Sequence, residues 1–191
     1  MPDYAAIYDD VFQRVKGYRN PLGSPGLRTA LRYSELIRSA GTSHLDVGCG
    51  MGYVVETLRN PPFKKMSRGA DVSVYACEES NKRLGKDVVL PIVDGRLPYS
   101  DETFDLVTCF DVLEHLDETD IRSLQTEMRR VLKPGGLWML NISLRASGTK
   151  DINGESVHRT VRPPQWWDDI LDFDKYEVDK ADSELTGWLR A

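Results

Sequence analysis

Two short stretches of this chain hold carboxylates where a ligand would be expected. From His44 to Gly52 the chain reads His-Leu-Asp-Val-Gly-Cys-Gly-Met-Gly, an apolar run carrying Asp46 and ending in Gly48, Gly50 and Gly52. Glycine at every second position suits a buried strand that turns sharply into a helix, and it lets the backbone come close to a ligand at the sheet's carboxyl edge. A Walker phosphate loop would end in Gly-Lys-Ser/Thr, which is absent, and a Gly-x-Gly-x-x-Gly fingerprint would put the third glycine one residue later. A glycine turn of some other α/β protein stays open at this point. Gly69-Ala70-Asp71-Val72-Ser73 follows about 20 residues on, where a nucleoside-binding βαβ unit places an acid that accepts from both ribose hydroxyls. Asp71 also suits a cap for a helix beginning near Ser73.

Acid–base chemistry near neutral pH falls to three histidines. His44 opens the first strand, at the edge of the sheet away from any ligand, and reads as structural. His115 and His158 lie on segments leaving the carboxyl ends of strands, where doubly wound sheets place substrates. Glu114, His115 and His158 form the candidate catalytic set. Asp111, Glu114, His115 and His158 together would also make an oxygen–nitrogen set for a divalent cation, although the reading without metal is preferred. In residues 153–167, His158, Arg159 and Arg162 stand beside Trp166 and Trp167, offering a proton acceptor, anion donors and a flat stacking surface suited to sugars. Packing of both indoles on the sheet is the structural alternative.

The elements that must position these groups follow from periodicity. Tyr4, Ile7, Tyr8, Val11, Phe12 and Val15 recur at three and four and predict an amphipathic first helix within residues 1–20; a second runs from Leu27 to the Ala40-Gly41 break. A helix from Tyr53 to about Arg59 follows the glycine turn. Strands are predicted at Val88–Val93, Phe104–Phe110 and Leu137–Leu144, with a helix over Leu116–Leu132 that Lys133-Pro134-Gly135-Gly136 ends. A helix over Pro163–Phe173 and strands at Tyr176–Ala181 and Thr186–Leu189 close the chain.

Asp-Val-Gly-Cys-Gly-x-Gly resembles the first motif of class I, Rossmann-like methyltransferases that use S-adenosylmethionine. Gly-x-Asp-x-Ser at 69–73, Pro98-Tyr99 followed by Phe104-Asp105, and Leu132-Lys133-Pro134-Gly135-Gly136 resemble further stretches of that family in the same order. The resemblance covers roughly residues 44–144. It implies a doubly wound α/β fold with a seven-stranded, mostly parallel sheet, an antiparallel last strand and helices on both faces. It also implies S-adenosyl-L-methionine as cofactor, with S-adenosyl-L-homocysteine as product. Asp46, Gly48, Gly50 and Gly52 would hold the methionine and ribose portions. Asp71 and Val72 would meet the ribose, Asp94 and Gly95 the adenine, and Phe110 the cofactor from the fourth strand; an ordinary turn at Asp94-Gly95 is the alternative. The 191 residues divide on this basis into a helical lid or substrate segment (1–40), a cofactor-binding core (41–144) and a substrate segment with closing strands (145–191), all one domain.

A His-x-Thr-x-x-Pro-x-x-Trp-Trp pattern at 158–167 resembles methyltransferases of bacterial surface-glycan clusters and points to O-methylation of a sugar, glycan end or small polar molecule, with Arg159, Arg162 and Trp166 as substrate residues. Asp111-Val112-Leu113-Glu114-His115 also resembles the Glu-x-x-Glu-His motif of quinone-biosynthesis O-methyltransferases and small-RNA 3′-end methyltransferases, with Asp in place of the first Glu, so a quinone or phenolic acceptor and a nucleic-acid end stand as alternatives, and a silent partner subunit stands beside them.

Composition narrows the partners. The net charge of −5 works against general attraction to nucleic acid, and neither Asn/Asp-Pro-Pro-Tyr/Phe nor Pro-Cys after the fourth strand is present. From Val11 to Ala40, six basic residues face Glu35 alone, which reads as a solvated helix face or an entrance for an anion. Cys49, Cys77 and Cys109 have neither disulfide-framework nor zinc spacing, no apolar run approaches a membrane span, and the first residues lack a signal-peptide pattern. A cytoplasmic protein without membrane insertion is expected.

Overall fold

The computed structural model describes residues 2–191. Among them, seven strands form one sheet: β1 (Ser43–Val47), β2 (Met66–Asp71), β3 (Val89–Pro91), β4 (Phe104–Phe110), β5 (Leu132–Ser143), β6 (Lys175–Asp179) and β7 (Glu184–Arg190), in the order β3-β2-β1-β4-β5-β7-β6. The first five run parallel, and β7 lies antiparallel between β5 and β6. The middle of the sheet is buried on both faces: β1 is buried from His44 to Val47 although it alternates polar with apolar residues, and β4 is buried from Leu106 to Phe110. Strand order reverses between β1 and β4. Connections leave that point in opposite directions and open a crevice above the strand ends.

Helices cover both faces: α1 (Tyr4–Arg14), α2 (Pro25–Arg32), α3 (Ser34–Ser39), α4 (Tyr53–Arg59), α5 (Val74–Leu84), α6 (Glu118–Val131) and α7 (Pro164–Leu171). The helix predicted across Leu27–Ala40 is two helices, broken at Tyr33 (φ −102°, ψ 28°). Both halves stay seated: Ala30 packs from α2 and Ile37 from α3 into one cluster with Leu58 and Phe110. The Leu116–Leu132 prediction also shortens, because a 3₁₀ turn over Leu113–His115 precedes α6, whose first turn carries Glu118 and Asp120 on the positive end of the helix dipole. Lys133–Gly136 does not separate the helix from the strand as expected. These residues bulge out of β5, which pairs Leu132 with Phe104 and then Leu137 with Leu106; Pro134 has no N–H to give, and Gly135 takes φ 74°.

The amino-terminal segment is tied across the crevice. Asp9 on α1 accepts from the Ser73 hydroxyl (2.6 Å) and the Tyr75 amide (3.1 Å) at the start of α5. Tyr4 donates its hydroxyl hydrogen to Asp120 (2.9 Å), and Tyr53 donates to the Arg19 carbonyl (2.6 Å). Three of the six basic residues of the run are paired within the fold. Arg28 reaches Glu184 and Asp182, Arg32 reaches Asp179, and Arg14 pairs with Asp10.

Candidate active site

Two cavities open above the carboxyl ends of β1 and β4, of about 670 and about 660 Å³. Phe12, Tyr18, Gly48, Asp111 and His115 line both and so form the wall between them. The first cavity continues past Asp46, Gly50 and Phe110 to Ser143, Arg145 and His158 beyond the end of β5. The second holds Asp71, Val72, Asp94 and Gly95. Each is large enough for part of a nucleoside cofactor.

The glycine turn is built as its spacing implies, with one difference. Gly48 (φ 69°) gives its amide to the Ala70 carbonyl (2.8 Å), and Gly50 (φ 49°) gives its amide to Asp71 (2.7 Å). A Cβ on Gly50 would sit 2.9 Å from the Phe12 ring of α1, so the missing side chain makes room for the amino-terminal helix as well as for a ligand. Gly52 lines neither cavity; its bare Cα lets α4 pack against Ser80 and Leu84 of α5.

Asp71 is 4% exposed, and its two oxygens accept from Gly50 and from the Ser73 amide (2.9 Å). It does not cap α5. That role belongs to Ser73, whose hydroxyl accepts from the Ala76 amide. A carboxylate with two backbone donors keeps lone pairs for two more, so it is fixed in place with acceptor capacity left on the cavity side. Burial raises its pKa to about 6, against the lowering effect of those amides. Asp94 and Gly95, both at positive φ (52° and 71°), form a tight turn closed by the Arg96 amide on the Val93 carbonyl (2.9 Å). Phe110 is buried under Gly26 and edges the first cavity.

Glu114, His115 and His158 come together: one ligand atom from each lies within 4.8 Å of the others. Asp111, the fourth residue of the expected set, stands outside that group and lines the cavity wall. Each imidazole is oriented by a main-chain carbonyl, His115 Nδ1 by Val157 (2.9 Å) and His158 Nδ1 by Arg145 (2.6 Å). A carbonyl only accepts, so both rings carry hydrogen on Nδ1 and leave Nε2 as an unprotonated acceptor. Burial, and for His115 the neighbouring His158, lowers both pKa values, His115 to about 3, so both rings are neutral at physiological pH. Glu114 is fully buried, takes the Ser143 amide on Oε1 (2.9 Å) and leaves Oε2 without a partner. Burial and the facing Asp111 push its pKa up.

Arg159, Arg162 and Trp166 are placed differently from expectation, and none lines either cavity. Arg159 is paired with Asp151 (2.9 Å), while Arg162 reaches Glu118 (2.8 Å) and lies over the Trp166 ring. Trp166 and Trp167 meet edge to face at 4.9 Å, with Trp167 wholly buried. Trp167→Ala is therefore expected to cost about 3–5 kcal/mol of stability, read from denaturant unfolding. The cavity's polar lining comes instead from Arg28, Ser143, Arg145 and Glu184, which periodicity could not single out because the fold gathers them from α2, the end of β5 and the segment beyond it, and β7.

Residues 45–140 match the Methyltransf_11 family, described as a methyltransferase domain. The chain is 30% identical over 142 residues to a mitochondrial ubiquinone biosynthesis O-methyltransferase of Candida albicans, across 69% of this chain and 42% of that protein. It is 34% identical over 124 residues to methyltransferase GfsG of Streptomyces halstedii, across 61% of this chain and 44% of that protein. The matches thus span less than half the length of these two relatives. In fold it is similar to the PH0226 protein of Pyrococcus horikoshii, with a TM-score of 0.73 at 16% identity over 95% of this chain and 98% of that one. A methyltransferase of Mesorhizobium loti dependent on S-adenosylmethionine gives a TM-score of 0.66 at 15% identity, over 90% and 100% of the two chains. No helix among the described residues is long and apolar enough to cross a membrane.

Proposed function

Since the chain belongs to the Methyltransf_11 family of methyltransferase domains, we propose that it moves a methyl group from S-adenosylmethionine to a hydroxyl of a small polar acceptor, a sugar or glycan end. The observation that carries this reading is the first cavity, which runs from Asp46 and the glycine turn to polar side chains around His158. The nucleoside would lie in the second cavity, with its ribose on Asp71 and adenine at Asp94-Gly95, and the methionine end would reach Asp46. Asp111 and His115, which line both cavities, would then stand beside the sulfonium. In-line displacement is helped chiefly by alignment and exclusion of water, both of which α1 supplies by lying over the crevice. His158 Nε2 takes the hydroxyl proton as the oxygen attacks. The bound cofactor would supply the methyl group, its methyl–sulfur bond breaking to leave S-adenosylhomocysteine.

Two further observations define the alternatives. Ubiquinone biosynthesis O-methyltransferases among the relatives favour a phenolic acceptor. The Glu114, His115 and His158 donor set fits a divalent cation, with Glu114 Oε2 lacking any partner; such an ion would acidify a bound hydroxyl. The test is transfer of labelled methyl from S-adenosylmethionine into cell material separated into sugars and glycans, quinones and nucleic acids, with and without chelator. Label in the sugar and glycan fraction that resists chelation is expected. Label in quinones or nucleic acid moves the acceptor, loss with chelator moves the chemistry to a metal, and binding without transfer to any fraction favours the silent subunit.

A further inference from the structure

Beneath the glycine turn lies a buried chain of hydrogen bonds that the mechanism above does not use. His44 and Asp46 share one face of β1, with Ser67 beside His44 on β2 and Thr108 beside Asp46 on β4. His44 Nδ1 is 2.6 Å from the Ser67 hydroxyl, and Nε2 is 2.8 Å from the Thr108 hydroxyl, which in turn donates to Asp46 at 2.6 Å. His44, Ser67 and Thr108 have no exposed surface, and Asp46 has 3%. His44 stands, as the sequence reading has it, at the start of β1, two residues before the Asp46 carboxylate.

The direction of the chain follows from what each atom can do. An ionised Asp46 only accepts, so the one Thr108 hydrogen points to it, Thr108 accepts from His44 Nε2–H, and His44 Nδ1 accepts from Ser67. A protonated Asp46 that donates back reverses every link, leaving the imidazole neutral with its hydrogen on Nδ1. The two forms differ by one proton: Thr108 passes its hydrogen to Asp46 and takes the one on His44 Nε2, Ser67 passes its hydrogen to Nδ1, and a proton from solvent replaces the one Ser67 gave, so that only Asp46 changes charge. Resting on the reading that the methionine ammonium sits at Asp46, we propose that His44 and Thr108 are positioning residues for the cofactor's cationic end, coupling the charge of Asp46 to the tautomer of His44.

Both forms of Asp46 are accessible near neutrality, since burial raises its pKa to about 7. His44 stays neutral because burial and the Lys65 charge lower its pKa to about 3. The titratable groups facing Asp46 are Asp71 from β2, Cys49 from the turn and Cys109 from β4, with Arg28, Asp111 and His115 around the same cavity. Both thiols are held protonated by burial, so a cation at Asp46 is the change that selects the ionised form.

The test uses ring-¹⁵N histidine spectra of the full chain at about pH 6 with two probes: S-adenosylhomocysteine, which carries the ammonium, and 5′-deoxy-5′-methylthioadenosine, which lacks it. The first is expected to drive His44 to the Nε2–H form and the second to leave it unchanged. Thr108→Val should abolish that response and weaken S-adenosylhomocysteine by about tenfold, a lost hydrogen bond to a charged group, while sparing methylthioadenosine; Thr108→Ser should restore both. A His44 tautomer indifferent to bound S-adenosylhomocysteine, or undiminished affinity in Thr108→Val, overturns the proposal. Failure of the unaltered chain to bind S-adenosylhomocysteine, or native affinity in Asp46→Asn, overturns the cofactor reading and this proposal with it.

Discussion

Asp71→Ala is expected to weaken S-adenosylmethionine binding by at least about a hundredfold. The carboxylate would accept from the ribose hydroxyls while anchoring Gly50 and Ser73, so its removal acts on the ligand and on the turn that receives it. Hydrogen bonds to a charged group contribute roughly 1.5–3 kcal/mol each, and two lost at the ribose already reach about 3 kcal/mol, about two orders of magnitude in Kd. Asp71→Asn is not a benign replacement. Its amide nitrogen would face one of two backbone donors, leaving an N–H pair opposed. Titration calorimetry with S-adenosylmethionine decides the matter, and a loss below about fivefold in Asp71→Ala would remove the residue from the ribose.

The second large effect is expected in kcat. His158→Ala should lower kcat at saturating acceptor by about 10²- to 10⁴-fold and leave the Kd for S-adenosylmethionine within about twofold, since the ring lies beyond the cofactor's predicted place. The pH profile gives an independent sign. A base works unprotonated, and burial has lowered the His158 pKa, so native kcat rises with pH through a midpoint below the usual histidine value of about 6.5 and is level at neutral pH. His158→Ala should lose that rising limb. Unchanged kcat in the variant would leave alignment as the source of catalysis and return the imidazole to a structural or metal-binding role.

The core of this fold was legible because its signals are local. Phe104–Phe110 reads as a buried strand from seven consecutive residues and is one, and the glycine spacing after Val47 fixes a turn with only short-range reasoning. Asp71 was likewise marked by its distance from that turn. What could not be read depends on partners far along the chain. Arg159 and Arg162 look like free cations until the fold brings Asp151 and Glu118 to them, and Trp167 looks like a stacking surface until α7 buries it. The partners of His44 could not be read, because strand register alone sets Ser67 and Thr108 on either side of it. Arg145 and Glu184 reach the cavity only because β7 inserts beside β5, a pairing that no pattern within either strand announces.

The most direct test is a crystal structure of the chain with S-adenosylhomocysteine bound. The ribose should lie on Asp71, the adenine against the Asp94-Gly95 turn and the homocysteine ammonium on Asp46, with the sulfur turned toward the cavity that holds His158. A nucleoside seated elsewhere, or a sulfur facing away from that cavity, would contradict methyl transfer at this site.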